Sequence, residues 1–433
     1  MSTKIFRDPI HGFIEVDPLE LKIINSPPFQ RLRNIRQLGT SYLVYHGAEH
    51  TRFGHSLGVM YLVSKAFDSV VNNYYDLNGR KLFDKSTHQL YKQLLRTTAL
   101  IHDIGHLPFS HAGDKIFAKN LTHEYFTKRI LFETELANIL QESGDMSPDL
   151  IWLIYGGKED TTSKNKTYKH PDFKLLRSFI NSDLDCDKMD YLLRDSHHCG
   201  VNYGNYDVNR LLDSLNVYRK NDTMQLAIER GGLQAFEEFV MARYFMYVQV
   251  YFHRTRRYLD KLLSSLMKEI YGGPIAEDYS IAQYLNRNDG VVLKEIQTLS
   301  ENKNLDAINF LSRNIMRCVY ETPTQPVAAD KDIFNIIYNS VRYVFPNDTF
   351  VLDSADKRAT EMPAIETYNG EDGKGIPVLT NHSPDPRDLL SESNLLGRLS
   401  QPISIRRIYA DQRKAKDIED FIHDLQKNKR GQE

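Results

Sequence analysis

The stretch Ala99-Leu-Ile-His-Asp-Ile-Gly-His-Leu-Pro-Phe-Ser-His111 decides how the rest of the chain is read. Leading into it, Leu90, Leu94, Leu95, Thr98 and Ile101 recur at helical spacing, and Gly105 and Pro108 break the pattern, which predicts a helix over 88–103. His102 and Asp103 therefore close an apolar helix, directly after Ala99, Leu100 and Ile101. A carboxylate in such a place is costly unless it is paired or bound to a cation.

Three more stretches belong with it. His50-Thr-Arg-Phe-Gly-His55 opens a helix predicted over about 54–75, with Leu57, Tyr61, Ala66, Phe67 and Val70 at helical spacing. Thr122-His-Glu124 follows the central stretch. Ser182-Asp-Leu-Asp-Cys-Asp-Lys-Met-Asp-Tyr191 sets Asp183, Asp185, Asp187 and Asp190 among Leu184, Met189 and Tyr191, again acid among apolar neighbours. One cation satisfies carboxylates from both places. Two imidazoles with two carboxylates make a mixed nitrogen and oxygen set suited to iron, manganese, magnesium or zinc, with positions left for water and substrate. Singly, each feature has an ordinary reading: a chance His-Asp dipeptide, two histidines on one helix face, or an acidic first turn stabilised by its helix dipole. Together they form an ordered H…HD…D pattern.

The 433 residues are 41% hydrophobic and 26% charged, enough for one large domain and a smaller one. A net charge of -2, from 55 basic and 57 acidic residues, favours neither nucleic acid nor a membrane surface. Any anionic ligand must then meet a local cluster of basic residues. Cys186, Cys199 and Cys318 are too few and too scattered for a disulfide framework or a CxxC zinc site, which fits a reducing compartment. The N-terminus has no apolar signal core, and no run of about 18 apolar residues occurs, so no membrane span and a cytoplasmic location are expected.

Further along, apolar positions 29, 32, 35 and 38 predict a helix over 28–38, stopped by Gly39. Residues 232–270, rich in Phe, Tyr, Met and Leu and free of proline, predict one long buried helix. Helical patterns at 305–320 and 330–344, strands at 349–353 and 403–409, a loop at 366–388 and a last helix at 415–428 complete the reading. The fold class is mainly α: a helical core over 1–275 with a smaller α+β lobe over 276–433.

The chain resembles the HD-domain dNTP triphosphohydrolases, including the HD core of mammalian members that join a SAM domain to an HD domain and their bacterial relatives. The resemblance lies in Phe6-Arg-Asp-Pro-Ile-His-Gly12, Pro28-Phe-Gln-Arg-Leu-Arg-Asn-Ile-Arg-Gln-Leu-Gly39, His50-Thr-Arg-Phe-Gly-His-Ser-Leu-Gly58, His102–His111 and Asp185-Cys-Asp-Lys-Met-Asp-Tyr-Leu-Leu-Arg-Asp195. It is strong over about 4–215 and fades through the C-terminal lobe. Because it begins almost at Met1, no SAM domain is expected.

The resemblance implies hydrolysis of a dNTP to deoxynucleoside and inorganic triphosphate, by metal-activated water attacking the α-phosphate. It implies His55, His102, Asp103 and Asp187 as ligands of a divalent metal (manganese, magnesium or iron, with zinc a further candidate). His106, His111 and His123 become catalytic histidines with Asp114 as a partner, and which of them is the acid stays open. Arg52 and Lys188 would clamp phosphates, Tyr191 would meet the deoxyribose, and Gln37 and Asp195 would be sugar contacts. Lys4, Gln30 and Arg33 match an effector-nucleotide site, while Arg7 and Asn25 depart from it in type. The arginines at 254, 256 and 257 read equally as a phosphate or subunit contact and as helix surface; the family's base-proximal arginine has no match near Gln249. A dNTP substrate, an activating nucleotide and a homo-oligomer, dimer or tetramer, are the implied partners. The rival readings are an HD phosphohydrolase acting on a nucleoside monophosphate, cyclic dinucleotide or alarmone, and a nucleic-acid-binding regulatory protein with a vestigial site. The near-neutral charge does not favour single-stranded nucleic acid.

Overall fold

A computed structural model describes residues 3–74, 81–144, 146–156, 172–220, 223–358, 376–380 and 383–430. The chain opens with an antiparallel hairpin, β1 (Lys4–Asp8) and β2 (Gly12–Val16). The sequence reading missed it, because Ile5 and Phe13 are exposed and the two strands are short. Asp8 Oδ1 accepts the backbone N–H of Ile10 and of His11 at 2.9 and 3.0 Å, and Gly12 takes φ +76° to turn the chain back.

Two long helices follow, α1 (Arg52–Asn73) and α2 (Lys85–Ile101), packed against each other. Asp84 caps α2 by accepting from Thr87 N. Next come α3 (His123–Glu133) and α4 (Cys186–Cys199). Asp185 caps α4 and Gly200 ends it in the left-handed region. The α1, α2 and α4 spans carry the His-Asp stretches, so the fold brings segments more than 80 residues apart in sequence to one place.

The helix predicted over 28–38 is broken. Pro27–Gln30 forms one turn and Arg31–Asn34 a 3₁₀ turn, after which the backbone extends and Arg36 pairs with Thr51. Tertiary partners win here: Gln37 N donates to His50 O, Arg52 N to Ile35 O, and Arg36 N to Asp289 Oδ2, each at 3.0 Å. The long helix predicted over 232–270 is two helices, α5 (Leu233–Met246) and α6 (Arg254–Ile270), joined through a π turn at Tyr247–Tyr251. Phe252 N reaches Tyr247 O at 2.8 Å, and Arg256 Nη1 takes up the carbonyl of Tyr251 at 2.8 Å. An aromatic cluster around this break makes the interruption a packing feature that needs no proline.

Between α4 and α5 lies a second hairpin, β3 (Leu215–Lys220) and β4 (Thr223–Glu229). Beyond α6 the chain forms β5 (Arg317–Glu321), α7 (Ala328–Val344), β6 (Phe350–Arg358), β7 (Pro377–Thr380), β8 (Ser383–Asp388), β9 (Pro402–Ala410) and α8 (Ala415–Arg430). Residues 305–320 were expected to be helical throughout; the helix Leu305–Ser312 stops at Arg313, φ +56°, and β5 follows because it pairs with β9. Part of the loop expected at 366–388 is strand: β7 joins β4 in parallel and β8 in antiparallel fashion, and 366–375 lies outside the described residues.

The fold is mainly α with a sheet-containing C-terminal region. The sheet β5-β9-β6 packs one face on α7 and α8 through Val319, Phe334, Val341, Ile408 and Ile418. Its other face, with Ala355, Ile403 and Ile405, packs on the aromatic π turn. The main apolar core runs across residue 275 and takes in Tyr284, Val292, Phe310, Val378 and Leu396. Among the described residues, no helix is long and apolar enough to cross a membrane.

Candidate functional site

His55 lies on the first turn of α1 and is fully buried. His102 is the residue after α2, with Asp103 next to it, and Asp187 sits in the first turn of α4. These four meet. His55 Nε2 stands 2.9 Å from Asp187 Oδ1 and 3.4 Å from Asp103 Oδ2. His102 Nε2 is 3.4 Å from Asp103 Oδ1 and 3.6 Å from Asp187 Oδ1. The far nitrogens are already committed. His102 Nδ1 lies 2.7 Å from the carbonyl of Ala99, which can only accept, so it carries the proton. His55 Nδ1 lies 2.7 Å from Asp190 Oδ2. Both Nε2 atoms are buried without a hydrogen bond of proper geometry.

Two inward-facing imidazole Nε2 atoms and two carboxylates have the donor set for a divalent cation, with outer bonds of the kind that orient ligand histidines. Its charge says the same. Burial opposes the charged form of His55, yet Asp187, Asp190 and Asp103 outweigh it and raise the imidazole to about 10. Burial likewise opposes ionised Asp103 and Asp187, but Arg52, His102 and His106 around the first, and His102 and His55 around the second, hold both well below the usual carboxylate range. A proton on His55 supplies positive charge among these carboxylates.

A second cluster adjoins the first. His106 follows the α2 end in a turn, His106 N donating to Asp103 O at 3.2 Å, so His102 and His106 do not share a helix face. Its ring stacks on His123 with centroids 3.7 Å apart. His111 Nδ1 and His123 Nδ1 approach the same oxygen, Asp114 Oδ2, at 3.0 and 3.2 Å. His106 Nε2 is 3.3 Å from Asp103 Oδ1, joining the two clusters. Burial, with Arg52 and His123 beside it, pushes His106 down to about 3. His111 differs from its neighbours: 67% of its side chain is exposed.

Gly105 lets this turn close, since a Cβ there would lie 2.2 Å from His123 O and 2.3 Å from Thr127 N. Phe109 and Ser110 both adopt positive φ, 61° and 55°, strained for side-chain-bearing residues. Asp289, which the sequence reading passed over, secures them by accepting from Phe109 N at 2.7 Å and from Arg36 N at 3.0 Å.

A cavity of about 290 Å³ opens over both clusters. Gln37, Arg52, His102, Asp103, His106, His111, His123, Asp187, Lys188 and Tyr191 line it, while His55 and Asp114, grouped with them in the sequence, lie behind the wall. Arg52 is buried, ion-paired to Asp103, with Nε 2.8 Å from Ser110 Oγ. Lys188 Nζ lies 2.6 Å from Asp185 Oδ2. Gln37 Oε1 is buried without a hydrogen-bond partner. Asp195 behaves differently: it is buried, accepts from Tyr251 OH at 2.7 Å and pairs with His50 Nε2 at 2.8 Å, and it is absent from the cavity wall. Tyr251 in turn packs edge-on to Tyr191, which lines the cavity, so these rings connect Asp195 to it.

Glu124, Tyr155, Ile180, Asn181, Asp185 and Lys357 also line the cavity and were missed. Lys357 comes from β6 in the C-terminal lobe, and no local signal marks it. Of the arginines after the π turn, Arg257 serves the lobe, ion-pairing with Asp353 at 2.9 and 2.7 Å, while Arg256 holds the Tyr251 carbonyl. Of the expected effector residues, Gln30 and Arg33 touch at 2.9 Å, with Arg33 lying 3.5 Å over the Phe53 ring, while Lys4 is exposed at the start of β1.

Residues 52–195 match the HD domain family and residues 206–339 the HD associated region. The chain is 31% identical over 422 residues to the uncharacterised protein YwfO of Bacillus subtilis, covering 92% of this chain and 89% of that protein. The chain belongs to the HD-domain phosphohydrolase family. A hypothetical protein from Aquifex aeolicus has the same fold, with a TM-score of 0.77 at 31% identity, over 97% of this chain and 99% of that one. The deoxynucleoside triphosphate triphosphohydrolase SAMHD1 of Gallus gallus is 26% identical over 89% of this chain, which spans 61% of its length. Within the HD match lie all four residues of the first cluster and the whole second cluster.

Proposed function

We propose that this HD protein hydrolyses deoxynucleoside triphosphates to deoxynucleoside and inorganic triphosphate, with His55, His102, Asp103 and Asp187 as metal ligands. The observation that carries the reading is the pair of buried Nε2 atoms, on His55 and His102, converging with two carboxylates at a cavity lined by Arg52, Lys188 and Lys357. A divalent ion bound there lowers the pKa of its water and polarises a phosphoryl oxygen. The similarity to SAMHD1 supports dNTP as the substrate class.

The chain's own groups divide the remaining work. Arg52, Lys188 and Lys357 place positive charge around the phosphates. The 5′-oxygen leaves poorly as an alkoxide and needs a proton. His106, His111 and His123, gathered around Asp114, supply and orient that proton at the cavity wall. His106, neutral near physiological pH and next to the metal ligands, suits orientation; His123, bonded to Asp114 and facing the cavity, suits proton donation. Tyr191 and Gln37 contact the sugar, and Asp195 acts on it through Tyr251 and Tyr191.

The test is to incubate each of the four dNTPs, singly and mixed, with Mn²⁺, Mg²⁺ or Fe²⁺ and to separate the products chromatographically. Deoxynucleoside with intact triphosphate is expected, and turnover restricted to mixtures reveals an activating nucleotide. A metal-loaded protein that turns over none of them excludes dNTPs and leaves another phosphate ester as substrate.

A further inference from the structure

The turn Asp8-Pro-Ile-His-Gly12 between β1 and β2 has no part in the roles above, yet its His11 bonds the carboxylate that holds His55. His11 is buried, its side chain 5% exposed and its ring stacked on Tyr61 with centroids 5.2 Å apart. Its Nε2 lies 2.6 Å from Asp190 Oδ1. The other oxygen of that carboxylate, Oδ2, holds His55 Nδ1 at 2.7 Å. Arg194 completes the set, Nε to Oδ2 at 2.8 Å and Nη2 to Oδ1 at 2.9 Å. Arg194 then reaches back to Asp8 at 2.9 Å, closing a ring through the hairpin turn.

An ionised carboxylate offers about four lone-pair sites, and here four donors occupy them. The backbone makes room for this arrangement. A Cβ on Gly58 of α1 would stand 1.8 Å from Asp190 Oδ1 and 2.4 Å from Arg194 Nη2. Each donor removes one freedom of the carboxylate to turn. A carboxylate that cannot turn fixes the plane and the protonated nitrogen of His55, and so the direction of the Nε2 lone pair.

We propose that His11, carried on the N-terminal hairpin, is a positioning residue of the metal centre, acting through Asp190 to orient His55. The hairpin turn is in this sense a structural part of the metal site. The inference rests on His55 being a ligand, as proposed above. The hairpin stays docked without the His11 bond, because Asp8 still pairs with Arg194 and Ile14 and Val16 remain in the core. A His11 variant therefore separates seating of the hairpin from orientation of the ligand.

The experiment is a calorimetric Mn²⁺ titration of the full chain, wild type against His11→Phe, which keeps a stacking ring and removes the donor. Loss of an outer partner of a metal ligand weakens binding about 10- to 100-fold, and this is the expected shift for His11→Phe, with the metal-free protein still folded. His11→Gln restores a donor and is expected to recover most of the affinity, which a purely structural role for the ring would not allow. Should the phenylalanine variant not fold, His11→Leu against His11→Gln makes the same comparison. Equal Mn²⁺ affinity with and without the donor overturns the assignment of His11 and leaves the metal reading standing. A folded wild-type chain that binds no Mn²⁺ overturns both.

Discussion

Two groups of His and Asp side chains sit side by side in this protein, and both have the make-up of a metal site. They differ in where the protons point. In the group of His55, His102, Asp103 and Asp187, the ring Nδ1–H groups face outward, to Asp190 and to the Ala99 carbonyl, and the Nε2 atoms face inward toward carboxylates without a hydrogen bond of proper geometry. In the group of His106, His111, His123 and Asp114, His111 and His123 turn Nδ1 toward one shared oxygen of a single carboxylate. In the first, both Nδ1 atoms are bound away from the shared space; in the second, two Nδ1 atoms turn into it, while His106 Nδ1 and Asp114 Oδ1 are buried without a hydrogen-bond partner. Residue type alone does not separate the two groups, and the hydrogen bonds of the histidine Nδ1 atoms do.

The largest effect should come from breaking the first group. Replacing His102 and Asp103 together by alanine is expected to abolish both metal content, measured by elemental analysis, and hydrolysis. Activity surviving that double change would end the proposal. In the second group, His123→Ala or Asp114→Asn should leave metal content intact while kcat drops, by roughly 10²- to 10⁴-fold for the loss of a general acid. If metal content falls in step with kcat, the two groups are one site and the contrast fails.

Smaller shifts belong to the cavity cations. Lys188→Met should raise KM about tenfold, the scale of one lost charge-assisted hydrogen bond. Lys357→Met, at an exposed position, should raise it only about threefold. A steady-state comparison of KM against kcat separates these from the histidine variants.

The slightest effect is one of pH. In the metal-free chain His55 is raised to about 10, above its ordinary value of 6.5, so a proton bound there stabilises the fold and this contribution fades as pH rises through 10. A metal must displace that proton, so its apparent affinity grows with pH over the same range. The gap in melting temperature between metal-loaded and metal-free protein should accordingly widen from pH 6.5 toward 10. A gap independent of pH would mean that His55 is not the group displaced.

Much of the candidate site was legible in the sequence because its parts are local. A His-Asp pair ending an apolar helix and acids among Leu184, Met189 and Tyr191 are buried charges whatever else the fold does. The helices 54–75, 88–103 and 415–428 were legible for a similar reason, one apolar face repeated over several turns. The break between α5 and α6 was not, since no proline or glycine marks it and its aromatics pack on Ala355, Ile403 and Ile405 of a sheet over 100 residues later. Arg257 shows the same limit: in sequence it reads equally as a phosphate or subunit contact and as helix surface, and its partner is Asp353.

By itself, then, the sequence determined the mainly α class, the family resemblance and the identity of the buried imidazoles and carboxylates, because burial and helical period are properties of short segments. Only the tertiary structure decided which nitrogens lack a hydrogen bond of proper geometry, which histidines share Asp114, that Asp195 stands behind Tyr251, and that Lys357 and His11 arrive from opposite ends of the chain. Those are relations of direction and distance between segments far apart in sequence, and no local pattern encodes the angle at which two side chains meet.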